Sequence, residues 1–254
     1  MSEPLLEARD LIKRYGSVEA LRGAAFTVYP GEVVALIGDN GAGKSTLVKC
    51  LSGVEQPDSG QILVSGSPVV LDSPTTARAH GIETAYQDLA VAPDLDPAAN
   101  LFLGREIRRP GLLGRLGMLD KATMREQAAE HFARFGVSLP DLSVPIGSLS
   151  GGQRQSVAVA RSVAWAEKLV FMDEPTAALG VVQRERVLDV IRRVRDTGIS
   201  VVLISHNMPE VLSVADRVEV LRLGTRVARF NAAEASLEDL VAAMTGALSQ
   251  EDAN

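Results

Sequence analysis

The stretch that most constrains this chain is Gly38-Asp39-Asn40-Gly41-Ala42-Gly43-Lys44-Ser45-Thr46. Just before it, Glu32-Val33-Val34-Ala35-Leu36-Ile37 is a short β-branched apolar run that reads as a buried strand. Just after it, Thr46-Leu47-Val48-Lys49-Cys50-Leu51 spaces its apolar residues as a helix does. Strand, glycine-rich turn and helix form the context that a phosphate loop of the G-x-x-x-x-G-K-[ST] type requires. The glycines let successive backbone N–H groups point inward around an anion, and the helix adds its N-terminal donors and positive dipole end. Lys44 is then expected on the β- and γ-phosphates of a nucleotide, the Ser45 hydroxyl on Mg²⁺, and Thr46 near the α-phosphate. The four fixed positions arise by chance in about one chain per hundred of this size, so the flanking strand and helix tip the reading to a nucleoside triphosphate site.

Composition narrows what such a site is used for. At 254 residues, 46% hydrophobic and 23% charged, the chain fits one large globular domain, or a domain with a sizeable insertion. Aromatics make up 4%, with Trp165 the one tryptophan, and the net charge is −6. Neither suits a stacking platform or a basic surface for nucleic acid, so no nucleic-acid partner is expected. Cys50 is alone and cannot form an intrachain disulfide. No apolar run approaches 18 residues, and Met1-Ser2-Glu3-Pro4 does not open a signal peptide. The expectation is a cytoplasmic chain that reaches a membrane through a partner.

The pattern predicts short strands at 5–9 and 24–28 about a turn at Tyr15-Gly16-Ser17, a strand at 61–64, a Ser73-capped helix at 74–80 and a strand at 82–86. From 88 to 163 the reading turns helical, with an amphipathic stretch at 120–135 and a basic, glycine-rich loop at 105–117. The alternation of strand and helix then returns: strand 169–172, helix 182–195, strand 200–204, a helix after Asn207, strands 218–221 and 227–230, and a helix at 237–244. The expected fold is α/β, a P-loop NTPase core (1–87 and 164–254) with an N-terminal antiparallel β layer and an inserted helical subdomain (88–163).

Two further motifs carry chemistry. Leu169-Val170-Phe171-Met172-Asp173-Glu174 is an apolar strand ending in two acids, the Walker B form, with Asp173 expected on Mg²⁺ and Glu174 as the base that polarises water. Leu149-Ser150-Gly151-Gly152-Gln153 precedes a helix at 154–165, and a serine with two glycines at a helix start is a second anion site. One phosphate loop and two phosphate-cradling helix starts suggest a phosphate held between two copies of the chain.

With these motifs in order, nearly the whole chain, about 5–247, resembles the ATP-binding subunit of an ABC transporter. Residues 149–153 match that family's LSGGQ signature letter for letter. The resemblance implies a head-to-tail homodimer with ATP and Mg²⁺ between the phosphate loop of one copy and the signature of the other. It implies that Tyr15 stacks on adenine, that Gln87 senses Mg²⁺ and the attacking water, and that His206 contacts the γ-phosphate. It also implies membrane permease subunits as partners, a periplasmic or extracellular solute-binding protein acting indirectly, and a peripheral position on the cytoplasmic face of the membrane. After Pro175, where the family commonly has Ser-Ala-Leu-Asp, this chain reads Ala177-Ala178-Leu179-Gly180 and lacks the carboxylate. The segments 87–95, 100–106 and 174–179 resemble ATPases of bacterial monosaccharide importers, which often fuse two cassettes where this sequence has one. Other readings are an importer of another solute such as an amino acid, a cassette ATPase acting on ribosomes or DNA, and a catalytically weak cassette, for which only Gly180 speaks.

Overall fold

The computed structural model describes residues 3–85, 91–139, 141–177 and 179–247. The N-terminal third holds β1 (Leu6–Tyr15), β2 (Val18–Val28), β3 (Val33–Ile37), α1 (Lys44–Leu51), β4 (Ser59–Val64), β5 (Ser67–Val69), α2 (Pro74–Ala79) and β6 (Ile82–Ala85). The middle is helical, with α3 (Pro97–Leu101), α4 (Leu112–Arg115), α5 (Lys121–Arg134) and α6 (Gly151–Val163). The remainder alternates: β7 (Leu169–Asp173), α7 (Val181–Asp196), β8 (Ser200–Ile204), α8 (Met208–Val214), β9 (Arg217–Arg222), β10 (Thr225–Asn231) and α9 (Leu237–Thr245). Two compact units result, one of residues 1–87, 166–177 and 194–254, the other of 88–165 and 178–193.

The first unit contains both sheets. A four-stranded antiparallel sheet runs β2-β1-β4-β5, and a six-stranded sheet runs β10-β9-β3-β8-β7-β6. In the larger sheet β9, β3, β8, β7 and β6 are parallel, and β10 returns antiparallel at the edge. All five residues of β3 are buried, because both of its faces are covered. Val34 and Leu36 join a core with β1, β2 and α1, while Ala35 and Ile37 join another with α8, β9, β10 and α9.

β1 and β2 are longer than the apolar runs at 5–9 and 24–28 suggested. Arg9, Asp10 and Arg14 are exposed in β1, and register shifts between Ala8 and Leu11 break the alternation that a sequence pattern can show. The three-residue β5 contains Pro68 and pairs only with β4, at the sheet edge.

In the second unit α5 buries Met124, Ala128 and Phe132, and Phe135 at its C-cap is 1% exposed. Asp120 caps the helix by accepting from the Thr123 N–H. Asn100, fully buried, donates to the carbonyls of Ala92, Leu95 and Asp96 and accepts from the Ala92 N–H, which fixes the turn into α3. The Trp165 indole N–H reaches the Leu101 carbonyl (3.1 Å). Its ring meets Phe102 edge-on, with Arg105 4.9 Å above its centre. The stretch 105–117, expected as a loop, contains the single turn of α4.

Candidate active site

The site in the first unit follows from strand register. Ile204 on β8 lies opposite Leu36 on β3 and opposite Asp173 on β7, so the carboxyl ends of three adjacent parallel strands fall on one line. In open α/β sheets that edge is where ligands bind. The residues that follow each strand are Gly38, Glu174 and Ser205-His206.

After β3 the chain must turn with no room for side chains. A Cβ on Gly38 would fall 2.1 Å from the Leu221 carbonyl oxygen, and one on Gly43, at φ +101°, 2.6 Å from that of Ala20. Gly43 caps α1 with no side chain of its own, so the first N–H groups of the helix face outward. Asp39, Asn40, Gly41 and Ser45 are exposed around this loop, while Ala42 is buried and Thr46 half-buried. Lys44 folds back over the loop, its Nζ donating to the carbonyls of Gly38 (2.6 Å) and Asp39 (3.0 Å). Burial pushes the Lys44 ammonium below the usual lysine range, and Glu174, Asp39 and Asp173 pull it back up. Asp173 shows the converse: burial, and then the neighbouring Glu174, raise its carboxyl above the usual range, with Lys44 opposing.

Glu174 adopts φ +49°, unusual for a residue with a side chain. Two hydrogen bonds hold it there: its N–H donates to the Ile204 carbonyl (2.9 Å), and His206 donates from Nδ1 to Glu174 Oε1 (2.7 Å). The His206 ring is 77% exposed and the Glu174 side chain 16%, so the pair sits at the rim with the imidazole outermost. Behind it, the Thr176 hydroxyl donates to Glu210 (2.6 Å) and Asn207 Nδ2 donates to the other oxygen of that carboxylate (2.6 Å). Asn207 also caps α8 through the Glu210 N–H. This buried polar knot fixes the turns after β7 and β8 relative to each other. Sequence reasoning missed Thr176 and Glu210; Asn207 three residues before Glu210 was the available signal.

Tyr15 lies at the β1–β2 turn, 44% exposed, with its hydroxyl hydrogen-bonded to Glu55, which in turn pairs with Lys49 of α1 (3.0 Å). Glu55 is the third residue that sequence reasoning missed. Gln87 lies outside the described residues.

The second unit carries the other expected anion site. Ser150 caps α6 in a reciprocal box: the Gln153 N–H donates to Ser150 Oγ (3.3 Å), and the Ser150 N–H donates to Gln153 Oε1 (2.9 Å). Leu149 is buried behind the cap, Gly151 is exposed with open space where a side chain would stand, and Gly152 is buried with Arg186 3.0 Å from its would-be Cβ. In the same unit, the Gly180 carbonyl accepts from the Arg184 N–H (3.0 Å) and starts α7.

The chain is similar to known proteins in sequence and in fold. Residues 21–177 match the ABC transporter family. The chain is 52% identical over 247 residues to the fructose import ATP-binding protein FrcA of Rhizobium meliloti, covering 96% of this chain and 95% of that one. It is 44% identical over 241 residues to the xylose/arabinose import ATP-binding protein XylG of Sulfolobus acidocaldarius, covering 95% and 94%. It is 42% identical to the ribose import ATP-binding protein RbsA 1 of Burkholderia ambifaria, matching 96% of this chain but 47% of that longer one. In three dimensions it resembles the crystal structure of a nucleotide-free ATP-binding cassette from an ABC transporter, at TM-score 0.74 and 24% identity over 95% of each chain, a likeness of fold. The chain belongs to the ABC transporter family, and its fold is that of the family's ATP-binding cassettes.

Proposed function

We propose that this chain is the ATP-hydrolysing subunit that powers sugar import through a membrane permease, with two copies closing on ATP. One observation carries the reading: Glu174 and His206 are hydrogen-bonded at the same strand edge where Lys44 and Asp173 sense each other's charge. In this reading the backbone from Gly38 to Thr46 wraps the phosphates, and Lys44 exchanges its two loop carbonyls for phosphate oxygens. Tyr15, held by Glu55, offers its half-exposed ring to adenine. Glu174 takes a proton from the attacking water. Because Glu174 engages His206 Nδ1, the opposite ring nitrogen is left for the γ-phosphate.

Ser45 and Asp173, with Gln87, are the residues that would hold Mg²⁺. They fit it: Asp173 is a half-buried carboxyl beside Glu174, a pairing that a cation relieves. Among the described residues no group of three or more His, Cys, Asp or Glu forms a larger metal cage, and Mg²⁺ commonly takes one or two carboxylates plus substrate phosphates. When bound it supplies neutralisation of the phosphate charge.

The signature of the second copy, Leu149 to Gln153, would complete the site with the Ser150 hydroxyl and the open backbone at Gly151. Domain roles follow: the core, expected at 1–87 and 164–254, would hold ATP, and the insertion, expected at 88–163 and joined in its compact unit by 164–165 and 178–193, would present the signature. The region 87–106 would carry the closing motion to the permease at the cytoplasmic face, with a solute-binding protein delivering sugar from outside. Relatives at 52% and 44% identity are fructose and xylose/arabinose import proteins, which supports a sugar as the cargo.

Light scattering on purified Glu174→Gln tests the two-copy site. A dimer that forms only with Mg-ATP is expected; a monomer with and without Mg-ATP would overturn it. ATP-dependent uptake of fructose, xylose or ribose in proteoliposomes with the permease and solute-binding protein tests the cargo, and uptake of an amino acid alone would overturn that half.

A further inference from the structure

Residues 107–119 read Ile-Arg-Arg-Pro-Gly-Leu-Leu-Gly-Arg-Leu-Gly-Met-Leu: three arginines and no acid, in a chain of net charge −6. The segment is built as a closed hairpin. Arg108 bridges to Leu119, the Arg109 N–H donates to the Met118 carbonyl (2.9 Å), the Asp120 N–H to that of Ile107 (2.7 Å), and the Met118 N–H to that of Leu113 (3.0 Å). Gly114 closes it, since a Cβ there would lie 1.8 Å from the Arg109 carbonyl oxygen. A frame this tightly bonded nonetheless presents its apolar side chains to solvent: Leu112 and Leu116 are each 72% exposed, Leu113 45% and Met118 46%. Leu112 and Leu116, four apart on the one turn of α4, share a side. Arg108, Arg109 and Arg115 are exposed, and none closes an ion pair with a described residue, although Glu106 and Asp120 feel the charges of Arg108 and Arg109.

We propose that this hairpin is a membrane-surface contact, resting Leu112, Leu113, Leu116 and Met118 among the headgroups of a bilayer that contains anionic phospholipid, with the three arginines on the lipid phosphates. Apolar side chains ringed by arginine are the chemistry of an interfacial anchor. A tip of four side chains is small for a protein interface, which needs a much larger buried area to be specific, whereas a lipid surface demands no matching contour. The contact goes beyond the ATPase reading and does not depend on it, because it is made by the isolated chain.

The test is co-sedimentation of the purified chain with vesicles of phosphatidylcholine, with and without phosphatidylglycerol. Binding about 100-fold tighter with phosphatidylglycerol is expected, at roughly five-fold for each of the three arginines, and high salt should weaken it. The triple variant Arg108→Gln/Arg109→Gln/Arg115→Gln should erase the preference for anionic vesicles. Leu112→Ser/Leu116→Ser should weaken binding about ten-fold on anionic vesicles, and Leu116→Ser alone by less. All variants should melt and hydrolyse ATP as the parent does without vesicles. Equal binding to both vesicle types, parent-like binding by the variants, or sedimentation only when permease is present would each overturn the proposal, the last in favour of a protein partner.

Discussion

Glu174 is strained, and in the proposed mechanism useful, in the same atoms. Its positive φ is held by the Ile204 carbonyl and the His206 ring, so the carboxylate is aimed before any substrate arrives. Glu174→Gln should keep that geometry and lower kcat by about 10²–10⁴-fold, read as phosphate release, with ATP still bound. His206→Ala should cost about 10²-fold in kcat with stability within about 0.5 kcal/mol of the parent, since the ring is exposed. Asp173 behaves differently. Burial and Glu174 raise its folded pKa above the ordinary 3.8, so ionising it opposes folding. Stability of the ligand-free chain therefore falls as pH rises from the ordinary value through the raised one. Asp173→Asn should accordingly raise the melting temperature at neutral pH, by an amount that shrinks toward pH 3.8, while Mg²⁺-dependent turnover falls at least about 100-fold. Calorimetry over a pH series checks the first half and phosphate release the second.

At the scale of elements, the turns after β7 and β8 are held by the Thr176–Glu210–Asn207 knot. Thr176→Val removes a buried donor to the Glu210 carboxylate and should cost about 1–3 kcal/mol in urea unfolding. Ser150→Ala, which removes the α6 cap, should cost about 1 kcal/mol. These elements also show what a sequence can disclose. Local signals are legible: Val33 to Ile37 as a buried run, Ser73 and Asn207 as caps, and Gly38 to Gly43 as a glycine-rich turn into α1. β8, expected at 200–204, is Ser200–Ile204, because Val201 to Ile204 is an unbroken apolar run of the kind a fully buried strand shows. The hidden part is what depends on partners far along the chain. Thr176 meets Glu210 across 34 residues, and Arg217 meets Thr27 and Glu32 across more than 180. Nor does a run of leucine, arginine and glycine announce that α4 will close on the Arg109 carbonyl.

Across the whole molecule, this chain matches 95% of FrcA and 47% of the ribose import ATP-binding protein RbsA 1. In the proposed two-copy site, Gly180 stands where the family commonly has an aspartate. A side chain there would meet only the end of the flexible Gln183, 2.7 Å from a new Cβ, so an aspartate can be accommodated. Gly180→Asp should lengthen the life of the Mg-ATP dimer and raise turnover by up to about ten-fold, measured by light scattering and phosphate release. The Trp165 cluster has a different consequence. The sequence has one tryptophan, and it belongs to the helical unit, clasped by Phe102, Arg105 and His131, whose ring lies 5.4 Å away. Burial, then Arg134, lower the His131 pKa while Glu130 opposes, so quenching of the indole by a protonated imidazole sets in at more acid pH than a free histidine would give. Intrinsic fluorescence is therefore a thermometer for one half of this protein: if its unfolding curve and that of the β-rich half by circular dichroism part company, the cassette melts in two steps.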